Sequence, residues 1–475
     1  MSRHAPLYDW TVAVTTHFPH LSKPQAAVLA LWSFGMVLAR SCGLSAVATA
    51  LRPLLAQPWN TVRQRLREWY KPAAAKAGAQ RRQLDVAPCF APLLAWILEG
   101  WPVRRVALAL DATPLFDRLV VLSLSVVYRG TAIPVAWTVV RGNEPHAWKP
   151  EWIELLRWFH GRIDPDWMVL VLTDRGLYAP WLFHAITQLG WHPMMRITRR
   201  NRFVPDGWVH SQPVWQFAPR VGCRWQGRGV AFPSTPASRL TCTLLAWWAD
   251  GHDDGWYIIT DLPPQAADAA WYGLRMWIEH GFEQFKSGGW QWQTTRMTAP
   301  DRVGRVWLAM SVATLWVLSI GGAIDRGEGP RETLPALATT AGHGHHQGPR
   351  SPKKPTRLVS VLRQGIAAVM AVLITGGSPM PGEWYPEPWP EIAVIGQARE
   401  HEQPPQPMRE KTYPCEGGAR GGGARAQPKS QGGCGRQMML PGVADRPASR
   451  KTGAFLLKNM GCREVFVSVR CAAGK

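Results

Sequence analysis

The sequence predicts a mixed α/β core, preceded by a helical region and followed by a loosely composed basic tail. Three observations carry that prediction. Two short apolar runs, residues 104–110 and 167–173, each close on an aspartate, Asp111 and Asp174. Between them lie two runs rich in β-branched and aromatic residues, 119–128 and 131–140, joined by Arg129-Gly130 in the manner of a tight hairpin. Far downstream, residues 267–285 show helical periodicity, with an apolar stripe beside a charged one.

Taken in order, residues 1–100 read as helical. Apolar periodicity runs through residues 26–39, a second helix fits near 45–55 and a third near 61–70. The third is basic, carrying Arg63, Arg65 and Arg67 behind a Pro58-Trp59-Asn60 turn. A DNA-reading helix has this character, and so does an ordinary surface helix. From residue 101 the pattern becomes strand, strand, strand, helix (146–160), strand, helix (179–189) and strand (194–197). That is the order of a ribonuclease-H-like fold. Residues 199–262, with Trp208, Trp215 and Trp225 and several prolines, read as a β-rich insertion before helices resume at 267–285 and 300–319. The expected division is therefore a helical N-terminal domain at 1–100 and a catalytic domain at 101–325. A linker follows at 326–356, then a helical segment at 357–396. The tail at 397–475 reads as largely disordered, since Pro, Gly, Gln and Arg cannot bury enough apolar surface to offset ordering entropy.

Fifty-four Lys and Arg against 33 Asp and Glu leave a net charge of +21 over 475 residues. The tail holds 14 basic and six acidic residues, so most of the surplus lies elsewhere. A surplus of this size favours a polyanionic partner, because each phosphate contact releases counterions. The eight cysteines show no CxxC spacing, which argues against a zinc ribbon or a disulfide framework. The first residues lack a signal pattern, and the longest apolar run, 366–374, is far short of the roughly 20 residues that span a bilayer. A reducing cytoplasm with access to DNA, and no membrane, is the expected setting.

Phosphodiester attack by water or a sugar hydroxyl uses divalent ions that clamp the entering and leaving oxygens. Magnesium and manganese take oxygen ligands, hence carboxylates held on rigid elements. Asp111 and Asp174 suit that role, although aspartates also end strands for purely local reasons. On the 267–285 helix, Tyr272, Arg275, Glu279 and Lys286 share one narrow face, while Trp271, Leu274, Ile278, Phe282 and Phe285 form the stripe beside it. A carboxylate flanked by cations can hold a metal while Arg and Lys bind neighbouring phosphates. Glu283 projects close to the same face, so helix geometry leaves Glu279 and Glu283 both open. His343, His345 and His346 sit in a Gly/Pro-rich stretch, where a metal site is the less favoured reading.

Tyr272-x2-Arg275-x3-Glu279-x6-Lys286 resembles the YREK signature of a large group of bacterial insertion-sequence transposases of the DDE type. Leu110-Asp111-Ala112-Thr113 and Thr173-Asp174-Arg175-Gly176 resemble that group's two aspartate motifs, and the likeness spans about residues 104–325. Asp174 follows Asp111 by 63 residues and Glu279 follows Asp174 by 105, a gap suited to an inserted β-rich segment. The resemblance implies catalytic, metal-binding Asp111, Asp174 and Glu279 with two Mg2+ or Mn2+ ions. It also implies DNA contacts from Tyr272, Arg275 and Lys286, and a homodimer pairing the inverted repeats of its own element for cut-and-paste transfer into target DNA. In relatives a Trp of the insertion stacks on a flipped base, and three tryptophans here are candidates. Two other readings remain: a non-catalytic DNA-binding descendant, and a structure-specific nuclease on the same fold.

Overall fold

The structure is a computed structural model that describes residues 4–76, 82–142, 148–327, 357 and 359–391. The three histidines of residues 343–346, nearly all of the expected linker and the whole tail from residue 397 lie outside the described residues.

Five helices come first: α1 (Ala5–His17), α2 (Lys23–Ala39), α3 (Leu44–Leu55), α4 (Trp59–Tyr70) and α5 (Phe90–Glu99). Their starts follow local chemistry. Ser22 and Gln25 form a reciprocal capping box at α2, and Pro6 and Pro24 occupy first-turn positions where no amide bond is lost. The helices are laced together by buried tryptophans: Trp10 donates to Ser33 and Trp32 donates to the Leu66 carbonyl.

The sheet begins with β1 (Arg105–Leu115), β2 (Leu119–Tyr128) and β3 (Thr131–Arg141), antiparallel in sequence. Arg129 and Gly130 both take positive φ, +44° and +81°, the conformation of a two-residue turn that matches strand twist. After α6 (Lys149–Arg157) comes β4 (Met168–Thr173), parallel to β1; after α7 (Pro180–Thr187) comes β5 (His192–Arg196), parallel to β4. The strands β6 (Arg202–Pro205), β7 (Gln212–Pro213), β8 (Arg224–Ala231), β9 (Leu240–Trp247) and β10 (Trp256–Thr260) extend the same sheet, giving the order β3-β2-β1-β4-β5-β10-β9-β8-β6-β7. The β-rich residues 199–262 thus continue the sheet from β5 rather than forming a separate one.

Three expectations need correction. Asp111 does not end its strand: β1 runs on to Leu115 because Asp111 to Leu115 keep pairing with β2. The segment expected as one regular helix is a 3-10 turn at Ala269–Met276, the helix α8 (Trp277–Glu283) and a π turn at Gln284–Gly288. Uninterrupted apolar runs also underestimate helix length: α9 (Pro300–Arg326), 27 residues, is the longest helix among the described residues although polar residues interrupt it. It is long and apolar enough to cross a membrane, but 83% of its most apolar window is buried inside the protein. There it serves as the core helix, packed on α2, α4, β3 and α10 (Val361–Ile374).

Glycines let α9 and α10 approach closely. A Cβ on Gly365 would lie 1.8 Å from the Val317 carbonyl oxygen, and one on Gly321 would lie 2.2 Å from that of Val361. Beyond α10, residues 375–391 also join the core. Trp384 and Trp389 are buried, Trp384 against Tyr128 and Trp389 against Trp271.

Candidate active site

The parallel pairing of β1 with β4 runs in register from Arg105 with Met168 to Leu110 with Thr173. The next positions on each chain are Asp111 and Asp174, so the two aspartates emerge side by side where that pairing stops. Each is fixed by a backbone amide. Ala112 N–H donates to Asp111 Oδ1 at 2.8 Å, and Gly176 N–H donates to Asp174 Oδ1 at 2.8 Å. Their Oδ2 atoms are left to face the same cation.

That cation is Arg275, from the 3-10 turn that leads into α8. Its Nη2 donates to Asp111 Oδ2 at 2.6 Å and lies 3.8 Å from Asp174 Oδ2, and its Nη1 donates to Glu279 Oε1 at 2.7 Å. The side chains grade from buried to open: Arg275 is 8% exposed, Asp111 12%, Asp174 25% and Glu279 50%. Burial pushes the Asp111 carboxyl up to about 7; Arg275 opposes this, and the charges of Glu279 and Asp174 reinforce it. Arg275 is lowered by its own burial, yet the surrounding carboxylates raise it overall.

Glu279, one turn after Arg275, is therefore the glutamate that meets the guanidinium, whereas Glu283 is exposed beyond it. Tyr272 is buried and packs edge-on against Trp256 at 5.3 Å; burial raises its phenol. Lys286 lies in the π turn, half-buried. Burial lowers its ammonium while the charges of Glu279 and Asp111 act the other way. The expected regular helical face is broken; of its four residues Arg275 is the one that reaches both aspartates, and Glu279 meets that same guanidinium.

Arg196 also borders the site, unforeseen from the sequence. It closes β5 as Asp174 follows β4 and lies 3.6 Å from Asp254; burial lowers its guanidinium, and the charges of Asp254 and Asp174 act the other way. Its position at a strand end was the available signal. Elsewhere, Arg65 and Arg67 are exposed on α4, while Arg63 is half-buried over the Trp59 ring. Of the three candidate tryptophans, Trp225 packs against Phe203 and Phe217, whereas Trp208 and Trp215 keep 37% and 38% of their surface exposed.

Hard oxygen donors converging on one positive charge suit a divalent ion in chemical type. Among the described residues, however, no three acidic, His or Cys side chains stand ready to ligate one. Arg275 is what the three carboxylates share. Of the three carboxylates Glu279, on α8, is the most exposed.

Residues 126–316 match the family model described as Transposase DDE domain. The match takes in Asp174, Arg275 and Glu279 and begins 15 residues after Asp111. It supports a DDE transposase: a nucleic-acid-cleaving enzyme that acts on DNA in transposition, of a class that generally uses divalent metal ions. No curated protein matches the chain.

Proposed function

We propose that this chain is an insertion-sequence transposase of the YREK group, cutting and joining DNA at the ends of its own element. The observation that carries the reading is the meeting of Asp111, Asp174 and Glu279 around one guanidinium, from three elements far apart in sequence. A ribonuclease-H-like core accounts for the strand order β3-β2-β1-β4-β5 with β2 reversed.

In this reading Asp111, Asp174 and Glu279 would hold two Mg2+ or Mn2+ ions, which would supply activation of the attacking oxygen and neutralisation of the charge developing on the leaving oxygen. The protein supplies orientation. The amides of Ala112 and Gly176 lock one oxygen of each aspartate and aim the other at the centre. Arg275 neutralises the cluster before DNA arrives, then turns its donors to phosphate oxygens on either side of the scissile bond. Lys286 contacts an adjacent phosphate as a point charge, and Tyr272 backs Arg275. Water attacks the phosphodiester at the element end and releases a 3′ hydroxyl; that hydroxyl attacks a target phosphodiester, forming a new P–O bond as the target strand's own 3′ oxygen leaves as a hydroxyl, with no covalent protein intermediate. Arg63, Arg65 and Arg67 on α4 add phosphate contacts outside the centre, and a homodimer pairs the two terminal inverted repeats.

The test is cleavage of DNA carrying the element's ends by the full chain, with Mg2+ and with a chelator. Specific nicking at the terminal repeats in Mg2+ alone is the expected result. Binding without any cleavage would indicate a non-catalytic descendant, and cleavage of branched DNA regardless of sequence would indicate a structure-specific nuclease.

A further inference from the structure

The turn between β2 and β3 makes three separate contacts with the element that carries Glu279. The carbonyl of Gly130 accepts a hydrogen bond from His280 Nδ1 at 2.9 Å. The Thr131 hydroxyl donates to Gln284 Oε1 at 2.7 Å, and both residues are buried. Between them Gly281 sits directly on Ala132: a Cβ there would fall 3.0–3.1 Å from Ala132's oxygen, nitrogen and Cβ. Gly130 of the turn and the first two residues of β3, Thr131 and Ala132, thus hold positions 280, 284 and 281, on the two turns of helix around and beyond Glu279.

The turn is itself held from behind. Arg129 donates through Nε to Asp325 at the end of α9 and through Nη1 to the Tyr385 carbonyl. Arg357 donates to the Arg129 carbonyl and to both oxygens of Asp325, and it pairs with Glu387. Residues from the C-terminal segment therefore fix the turn that fixes α8.

We infer that the β2–β3 turn is a positioning clamp for Glu279, with His280 and Thr131 setting where that carboxylate meets the metal. The inference rests on the proposed role of Glu279. Glu279 is the most exposed of the three acids and rides on a short helix flanked by 3-10 and π turns, so its backbone has little regular structure to hold it. A carboxylate held loosely binds the same ion with the same ligands, but more weakly, because ordering it must then accompany binding.

Two measurements are made on the full chain as a function of Mg2+ concentration: Mg2+ binding, read without DNA as the rise in the thermal unfolding midpoint, and the cleavage rate on element-end DNA. His280 is exposed, so His280→Ala leaves the core intact; His280→Asn restores a donor near the Nδ1 position. Thr131→Val removes the buried hydroxyl at constant shape, and Thr131→Ser keeps it. His280→Ala and Thr131→Val are expected to raise the half-maximal Mg2+ concentration about tenfold while the saturated rate stays near wild type. The Asn and Ser variants are expected to stay within about twofold of wild type. An unchanged Mg2+ midpoint in both disruptive variants would overturn the inference, as would an Asn variant as impaired as the Ala variant. A Glu279→Gln protein that cleaves normally would instead remove the underlying assignment of the third carboxylate, a result separable from either.

Discussion

Replacing Arg275 with Ala leaves three carboxylates facing one another with no cation between them. Removing one partner of a buried ion pair costs about 3–5 kcal/mol, because the other charge stays buried and unmatched. Here the lower end applies. Only Asp111 is buried to nearly the same degree as Arg275, and it escapes part of the penalty by taking up a proton. Glu279 is half exposed and its pairing adds less than about 0.5 kcal/mol. A loss of about 3 kcal/mol in chelator is therefore expected, read as a drop of a few degrees in the unfolding midpoint. Divalent ions should reverse much of it. An ion at a hundred times its dissociation constant stabilises the folded state by about 2.7 kcal/mol, and the unbalanced cluster should bind it more tightly than wild type does. The assay is thermal unfolding of both proteins across a Mg2+ titration. The expected result is a larger Mg2+-induced rise for Arg275→Ala than for wild type. Equal rises in the two proteins would refute the argument that Arg275 stands where cations are held.

Other expectations follow from single contacts. Gly365→Ala places a Cβ against the Val317 carbonyl, and backbone cannot step aside. It should destabilise the chain by about 3 kcal/mol or more in denaturant titration, and wild-type stability would show that α10 is not seated on α9. Burial alone would raise Asp325, but hydrogen bonds from Arg357 and Arg129 more than offset it and hold the carboxyl below its usual value. A depressed carboxyl stabilises the fold above about pH 4 and loses that contribution as pH falls through its folded value. Asp325→Asn should flatten the acid limb of the stability profile, and an unaltered limb would remove Asp325 as its source. Lys286→Ala should lower the slope of log affinity for element-end DNA against log salt by about one, and an unchanged slope would place Lys286 away from phosphate.

Much of the fold is legible in local pattern, and the misses have identifiable physical causes. The apolar runs ahead of Asp111 and Asp174 mark buried parallel strands, and Arg129-Gly130 marks a turn that only positive φ can close. The extension of β1 past Asp111 is not local: it depends on pairing with β2, which no window around Asp111 encodes. Helical periodicity placed Arg275 beside Glu279. It could not show that aspartates about 100 and 164 residues away turn toward the same guanidinium. The 3-10 and π turns around α8 are equally invisible, since they flank a helix whose Gly281 is pressed onto Ala132. The helical segment expected at 357–396 is helical over Val361–Ile374, and past residue 376 the described, proline-rich chain is irregular; Trp384 and Trp389 there are buried because they meet Tyr128 and Trp271 from distant segments.

The central claim is that Asp111, Asp174 and Glu279 form the metal-dependent cutting centre. It is tested most directly by comparing wild type with Asp111→Asn, Asp174→Asn, Glu279→Gln and Glu283→Gln on element-end DNA in Mg2+. Binding and unfolding are measured on the same samples. The account predicts that the first three bind DNA and stay folded but do not cleave, while Glu283→Gln, exposed and beyond the guanidinium, keeps substantial activity. Normal cleavage by any of the first three, or loss of cleavage in Glu283→Gln alone, would contradict it.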